Sequence, residues 1–341
     1  MNSSNAARGT ETDSDESTPF PVTPPRQIIH PFTSSSSSNG ADLTVWALDQ
    51  IYSSCFSDDP RGWDRTRAFL GNLSPHLRAV VSYFPDSANG EYWTPFPLSN
   101  EDFECLKRSK FHADEDLKYD YDALFEILVF RMPEPHAHSH VQVRLAYKIV
   151  AQLEAIAEHN DTVKPFINRL YASILSPFEC TDSERHPDFS AHHLSQPKPA
   201  VIGEVALLET GKNLDRLADE YHFELRSYIN VVFGLRFGFW KNENGHVKIS
   251  AMLSTWRPVL RHGLYVGSRC EDVMLYDEFG NKIVDEHAGL RLSLEDFAFF
   301  RLPTEFPGLD QYTVFVSVEE LQEMLGEAAE IHQAYGWTRI P

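Results

Sequence analysis

Hydrophobic positions recur with two periods along this chain, and the change of period divides it. Val141, Leu145, Ile149, Leu153 and Ile156 fall four, four, four and three residues apart. That spacing lays one apolar stripe along a long helix, and Asn160 fits its end. The pattern then turns to strands: INRLYASILSPF, the short HPDFSAH, and KPAVIGEVALLE, an apolar run of the type buried on both faces. A helix is predicted from about Asn213 to Glu224, with Leu214, Leu217, Ala218 and Tyr221 on one side. The β run YINVVFGLRFGFW follows, and HVKISAMLSTWRP pairs with it across the turn from Lys241 to Gly245. LYVGSRCEDVMLYDEFGNKIV adds a hairpin around Phe279, Gly280 and Asn281, and AGLRLSLEDFAFF reads as a strand with a helical turn. Ser317 and Glu320 form a capping box that opens a helix to about Ala334.

Upstream the signal is more helical. LTVWALDQIYSSCF carries helical spacing, a second helix is expected over Arg65 to Leu77, and Ser99 or Asn100 opens a short third with acids in its first turn. In ADEDLKYDYDALFEILVFRMP the acidic half reads as a solvated face and the apolar half as a strand stopped by Pro133. Residues 1–40 are rich in serine, threonine, proline and glycine and are expected to be disordered. The domain reading is a low-complexity tail over 1–40, a helical N-terminal extension over 41–130, a core with added strands over 131–300, and a C-terminal helical segment over 301–341.

Composition narrows the function classes. Of 341 residues 42% are hydrophobic, enough for a sizeable core. No apolar run reaches membrane-spanning length and the first twenty residues hold no leader-like apolar stretch, so a cytoplasmic or nuclear protein without a membrane partner is expected. Cys55, Cys105, Cys180 and Cys270 form no CxxC pair, which argues against a disulfide scaffold or a cysteine zinc site. The formal net charge of -20 repels a polyanion at long range and works against nonspecific nucleic-acid binding. No P-loop, dinucleotide fingerprint or Gly-x-Ser-x-Gly elbow is present.

Two carboxylates stand out. Glu204 sits inside the apolar strand Val201-Ile202-Gly203-Glu204-Val205, where a charge is costly unless paired or bound to a metal. Asp188 opens a short strand after Pro187, although Pro-Asp is also a common turn pair. If the two strands are neighbours, the carboxylates converge on one hard cation such as magnesium or manganese. Such an ion would also reverse the local field and partly answer the charge objection. His136, His138 and His140 alternate as extended-chain metal ligands do, but no partner stands at ligand spacing.

The helix, strand, strand, strand, helix, strand order with a Pro-Asp and a later strand glutamate resembles the PD-(D/E)XK restriction-endonuclease-like superfamily. It is most similar to the Uma-type bacterial proteins and related fungal ones. The resemblance rests on Arg131-Met132-Pro133, His138-Ser139, Pro187-Asp188, Glu204-Val205, Leu217-Ala218-Asp219-Glu220-Tyr221 and Trp256-Arg257-Pro258. It covers over a third of the chain. It implies an α+β fold with a mixed central sheet flanked by helices, and a phosphodiesterase site acting on DNA or RNA. Asp188 and Glu204 would hold Mg or Mn in an open cleft. The chain departs from the pattern twice: the glutamate of the family's His-Glu pair is Ser139, and the lysine due two residues after Glu204 is Ala206. Lys212, at the start of the following helix, is the candidate replacement, with Glu209 a further acid nearby. The lysine's task would be to orient the attacking water and stabilise developing charge. The alternative is a nuclease fold that has lost activity and serves protein interaction or regulation; an unrelated α+β binding protein is a third reading.

Overall fold

The alternation expected downstream of Arg131 is the one the chain adopts. The structure, a computed structural model, describes residues 43–45, 47–49, 70, 73–83, 94–109, 111, 118–131, 135–174, 176–180, 183–208, 212–225, 228–262, 264–299 and 302–335. The serine-rich tail, Cys55, Met132-Pro133 and Glu209 lie outside the described residues.

The first elements are α1 (Pro75–Tyr83), β1 (Thr94–Pro97), α2 (Asn100–Lys107), β2 (Tyr119–Asp122) and β3 (Ile127–Phe130). The stretch read as helical thus also supplies three strands. Ser99 caps α2 as expected, its side chain accepting from the Asp102 N–H. The reading of the YDYD segment as a solvated face is corrected: it forms β2, with Tyr119, Asp120 and Tyr121 buried. The cause is its two faces. Phe103 of α2 stacks on Tyr121, while Asp120 meets the Arg131 guanidinium.

The main body begins with α3 (His136–His159), whose stripe Val141, Leu145, Ile149 and Leu153 is buried as the spacing predicts. The three histidines are corrected here: they lie in the first turns of α3, not in extended chain. Residues two apart on a helix point about 200° apart, so His138 shares a face with neither of the others; His136 and His140, four apart, share one, where His140 pairs with Glu327 and His136 packs on Tyr335. Strands β4 (Leu170–Ser173), β5 (Phe178–Cys180), β6 (Ser183–Arg185), β7 (Phe189–His193) and β8 (Val201–Leu207) follow. After them come α4 (Leu214–Leu225), β9 (Val231–Lys241), β10 (Val247–Arg261), β11 (Leu264–Tyr276), β12 (Gly289–Ser293), β13 (Thr313–Ser317) and α5 (Val318–Tyr335).

A six-stranded mixed sheet runs β11-β10-β9-β8-β7-β4. Only β8 and β9 are parallel within it, and α4 makes the crossover that parallel neighbours require. Strand β8 alternates: Val201, Val205 and Leu207 join the core under α3, while Ile202 and Ala206 join Leu214, Leu217 and Tyr221 of α4. The sequence α3, β4, β7, β8, α4, β9 is the expected order, and the α+β class with a mixed central sheet flanked by helices holds. A smaller sheet runs β1-β3-β2-β6-β5, and β12 pairs with β13. The Ser317–Glu320 box opens α5 as predicted. Trp256, Arg257 and Pro258, read as a strand end, lie within β10, which continues to Arg261. The hairpin at Phe279 to Asn281 reduces to a single bridge, Tyr276 to Lys282. Among the described residues no helix is long and apolar enough to cross a membrane.

Candidate active site

Three elements bring the predicted residues together. Asp188 stands just before β7. Its Oδ2 accepts the Val205 N–H of β8 at 2.7 Å, and its carbonyl accepts Gln142 Nε2 of α3 at 2.8 Å. Glu204 is central in β8, on the α4 face. The preceding Gly203 has a physical reason, because a Cβ there would stand 2.2 Å from the Phe233 ring. Lys212 arrives from the segment just before α4. Its ammonium donates to Asp188 Oδ2 at 2.8 Å, Glu204 Oε2 at 2.6 Å and the Val205 carbonyl at 2.9 Å. Ala206 shares the Glu204 face but packs into the apolar cluster with Leu214 and Leu217, so the amine enters from the next element.

Of the other members of the cluster, His138 was weighed in the sequence as a metal ligand, and Arg131, Asp120 and Tyr221 were not singled out for chemistry. Arg131 Nη2 lies 2.6 Å from Glu204 Oε2 and 3.5 Å from Asp188 Oδ1, its Nη1 3.6 Å from Asp120 Oδ1. The guanidinium also donates to the His186 carbonyl. Tyr221 of α4 donates its hydroxyl to Glu204 Oε1. His138 Nε2 lies 3.0 Å from the Val205 carbonyl, which only accepts, so that nitrogen carries the proton; it is 3.5 Å from Asp188 Oδ2. The signal for Arg131 and Asp120 was the one that marked Glu204, a charge set in or closing an apolar or aromatic strand. His140 instead pairs with Glu327 at 2.8 Å, and the His136 ring packs against Tyr335.

Three carboxylates and two cations thus share one volume. The Asp188 and Glu204 side chains are 1% exposed and Lys212 is 5% exposed. Burial alone would raise Asp188, but Lys212, His138 and Arg131 together hold it well below its usual range. Burial raises Glu204 against Arg131 and Lys212, and the charges of Asp188 and Asp120 add to the rise. The two carboxylates are therefore split, which makes Glu204 the acid that takes a proton first. Burial, and the Glu204 and Asp120 charges, push the Tyr221 hydroxyl far up, so it remains a donor.

The donor set suits a hard cation. Two carboxylate oxygens and a main-chain carbonyl surround one point now held by an ammonium. Asp188 Oδ1 and Asp120 Oδ2 are buried with no hydrogen-bond partner, so acceptor capacity remains. Among the described residues no three acidic, histidine or cysteine side chains group as a metal cluster. Magnesium needs fewer, since it commonly takes one or two carboxylates and keeps several waters. The two carboxylates and the ammonium are buried, 1% to 5% exposed. A cleft of about 1220 Å³ is present, but it is lined by Asp122, Phe125, Glu220, Phe223, Glu224 and Tyr265 among others, and not by Asp188, Glu204 or Lys212. Where an open cleft was expected at the carboxylates, Arg131, Lys212 and Tyr221 lie against them.

No family model matches the chain, and no curated protein matches it. A comparison of folds aligns it with the crystal structure of a "putative nuclease belonging to DUF820" from Anabaena variabilis. The two are 15% identical, with a TM-score of 0.38 over 67% of this chain and 99% of that one.

Proposed function

We propose that this chain is a metal-dependent phosphodiesterase of the nuclease type, nearest to the Uma-type proteins in the order of its motifs. The observation that carries the reading is the convergence of Asp188 Oδ2, Glu204 Oε2 and the Val205 carbonyl on one cation, Lys212 Nζ. In this reading Asp188, Glu204 and the Val205 carbonyl hold Mg or Mn. A divalent cation there supplies positive charge to the scissile phosphate and acidifies the attacking water. Lys212, freed from between the carboxylates, orients that water and stabilises charge on the phosphate oxygens. Tyr221 fixes the Glu204 carboxylate through Oε1, and Arg131 helps hold Asp188 ionised and opposes the rise that burial imposes on Glu204. The substrate is DNA or RNA, approached through the bound divalent ion against a net charge of -20.

One observation favours a second reading. Arg131, Lys212 and Tyr221 already satisfy both Glu204 oxygens in a buried network, as in a nuclease fold turned to protein interaction or regulation. Cleavage of supercoiled plasmid, single-stranded DNA and RNA with Mg or Mn separates the two. Cleavage that EDTA stops, and that Asp188→Ala lowers at least about a hundred-fold, is expected from the proposal. An Asp188→Ala protein as active as wild type would overturn it, and a wild type that neither cleaves nor binds the cations would favour the second reading.

A further inference from the structure

Strand β11 is an edge of the six-stranded sheet, paired with β10 on one side only among the described residues. A long edge is a template for another strand, and proteins usually blunt it. This edge has a defined usable length. At one end a register shift near Val259 accompanies Gly267, which has φ +145°. At the other end Ile283 donates to the Leu275 carbonyl and occupies the outer side of the strand. Gly267 to Val273 lie between, with Cys270 at the centre.

The backbone of this stretch faces outward at alternate residues. Pro258 of β10 pairs with Ser268 and has no N–H, so that pair takes the form without hydrogen bonds. Alternation gives Trp256–Cys270 and Ser254–Asp272 the same form. The N–H and C=O groups of Ser268, Cys270 and Asp272 are therefore turned away from β10, to the edge left unpaired among the described residues.

The side chains choose a partner. Arg269 and Glu271, 73% and 55% exposed, form an ion pair at 2.8 Å along the strand, and Val266 and Met274 are exposed apolar residues at the two ends. An antiparallel second copy centred on Cys270 sets Arg269 opposite Glu271 twice, Ser268 opposite Asp272, and Val266 opposite Met274. Centring on Arg269 or on Glu271 sets like charges opposite one another. Centring on Ser268 or Asp272 gives Arg269 and Glu271 no unlike partner across the edge. We infer that β11 pairs with β11 of a second copy of this chain, antiparallel and centred on Cys270, joining two sheets into one. The inference is independent of the phosphodiesterase reading.

Sedimentation of the full chain over rising concentration tests it, with a short bismaleimide as a thiol probe. With Cys55, which lies outside the described residues, replaced by serine, the full chain is expected to dimerise and to crosslink through Cys270, since Cys105 and Cys180 are buried; a further Cys270→Ser removes the crosslink. Glu271→Arg sets arginine opposite arginine at both pairs and weakens the dimer roughly ten-fold or more. The double exchange Arg269→Glu with Glu271→Arg restores it. A monomer at every concentration, a dimer indifferent to Glu271→Arg, or a dimer without a Cys270 crosslink would each overturn the inference. Unchanged circular dichroism in these exposed-site variants keeps a folding failure from being mistaken for a lost contact.

Discussion

Lys212 is the residue on which both the stability and the chemistry of the cluster turn. It donates to two carboxylates and a carbonyl from a side chain 5% exposed. Replacing it with methionine leaves Asp188 and Glu204 facing each other with less positive charge between them. Removing one partner of a buried ion pair costs on the order of 3–5 kcal/mol, so the urea midpoint of Lys212→Met is expected to fall by that equivalent. Added manganese should restore part of it if the three oxygens accept a divalent ion. A midpoint equal to wild type would show that the ammonium contributes nothing there. His222 gives a second test, through pH. It is buried on α4, its Nδ1 2.8 Å from Ser268 Oγ, and burial lowers its pKa from 6.5 to about 4. The unfolded chain binds the proton first. The stability this residue contributes is therefore full above pH 6.5 and is lost as pH falls through 6.5 toward about 4, a change of roughly 3 kcal/mol. Urea midpoints across that window should converge when His222→Asn is compared with wild type at its lower end, and diverge in favour of wild type at its upper end. Parallel pH profiles would contradict the account.

At the scale of elements, the site depends on how closely β8 lies against its neighbours. Gly203 pairs with Phe233 of β9 and with Phe189 of β7, and its missing Cβ is the space the Phe233 ring occupies. Gly203→Ala overpacks this layer and is expected to cost about 1–3 kcal/mol, read as a lower urea midpoint, and to displace Glu204 beside it. An unchanged midpoint would mean that Phe233 yields freely. Elements were also where the sequence was most legible. The stripe on α3, the apolar run of β8 and the Ser317 box are local patterns whose periods or caps determine the outcome. Asp188 and Glu204 could be picked out because a proline-flanked acid and a strand-buried acid are costly without partners. The partners were harder to see. Asp120 belongs to a strand whose two faces are both covered, which its acidic neighbours disguise. Arg131 reaches Glu204 across 73 residues of sequence, a contact that no local period encodes. The histidines were misplaced for a different reason: their alternation was read in extended chain before the helix, and they lie within the helix itself.

At the scale of the molecule, an acidic chain holds one small volume where cations are gathered against acids. The -20 charge makes unaided attraction of a polyanion unfavourable, so activity on nucleic acid should depend on the divalent ion for approach as well as for chemistry. The central claim is thus that the Asp188, Glu204 and Val205 oxygens accept a divalent cation in place of the Lys212 ammonium. Calorimetric titration of manganese into the full chain measures this directly, with Glu204→Gln as the comparison. The account predicts one site in the wild type and its loss, or a weakening of at least about ten-fold, in Glu204→Gln. A wild type with no binding heat, or a site that Glu204→Gln leaves untouched, would contradict it.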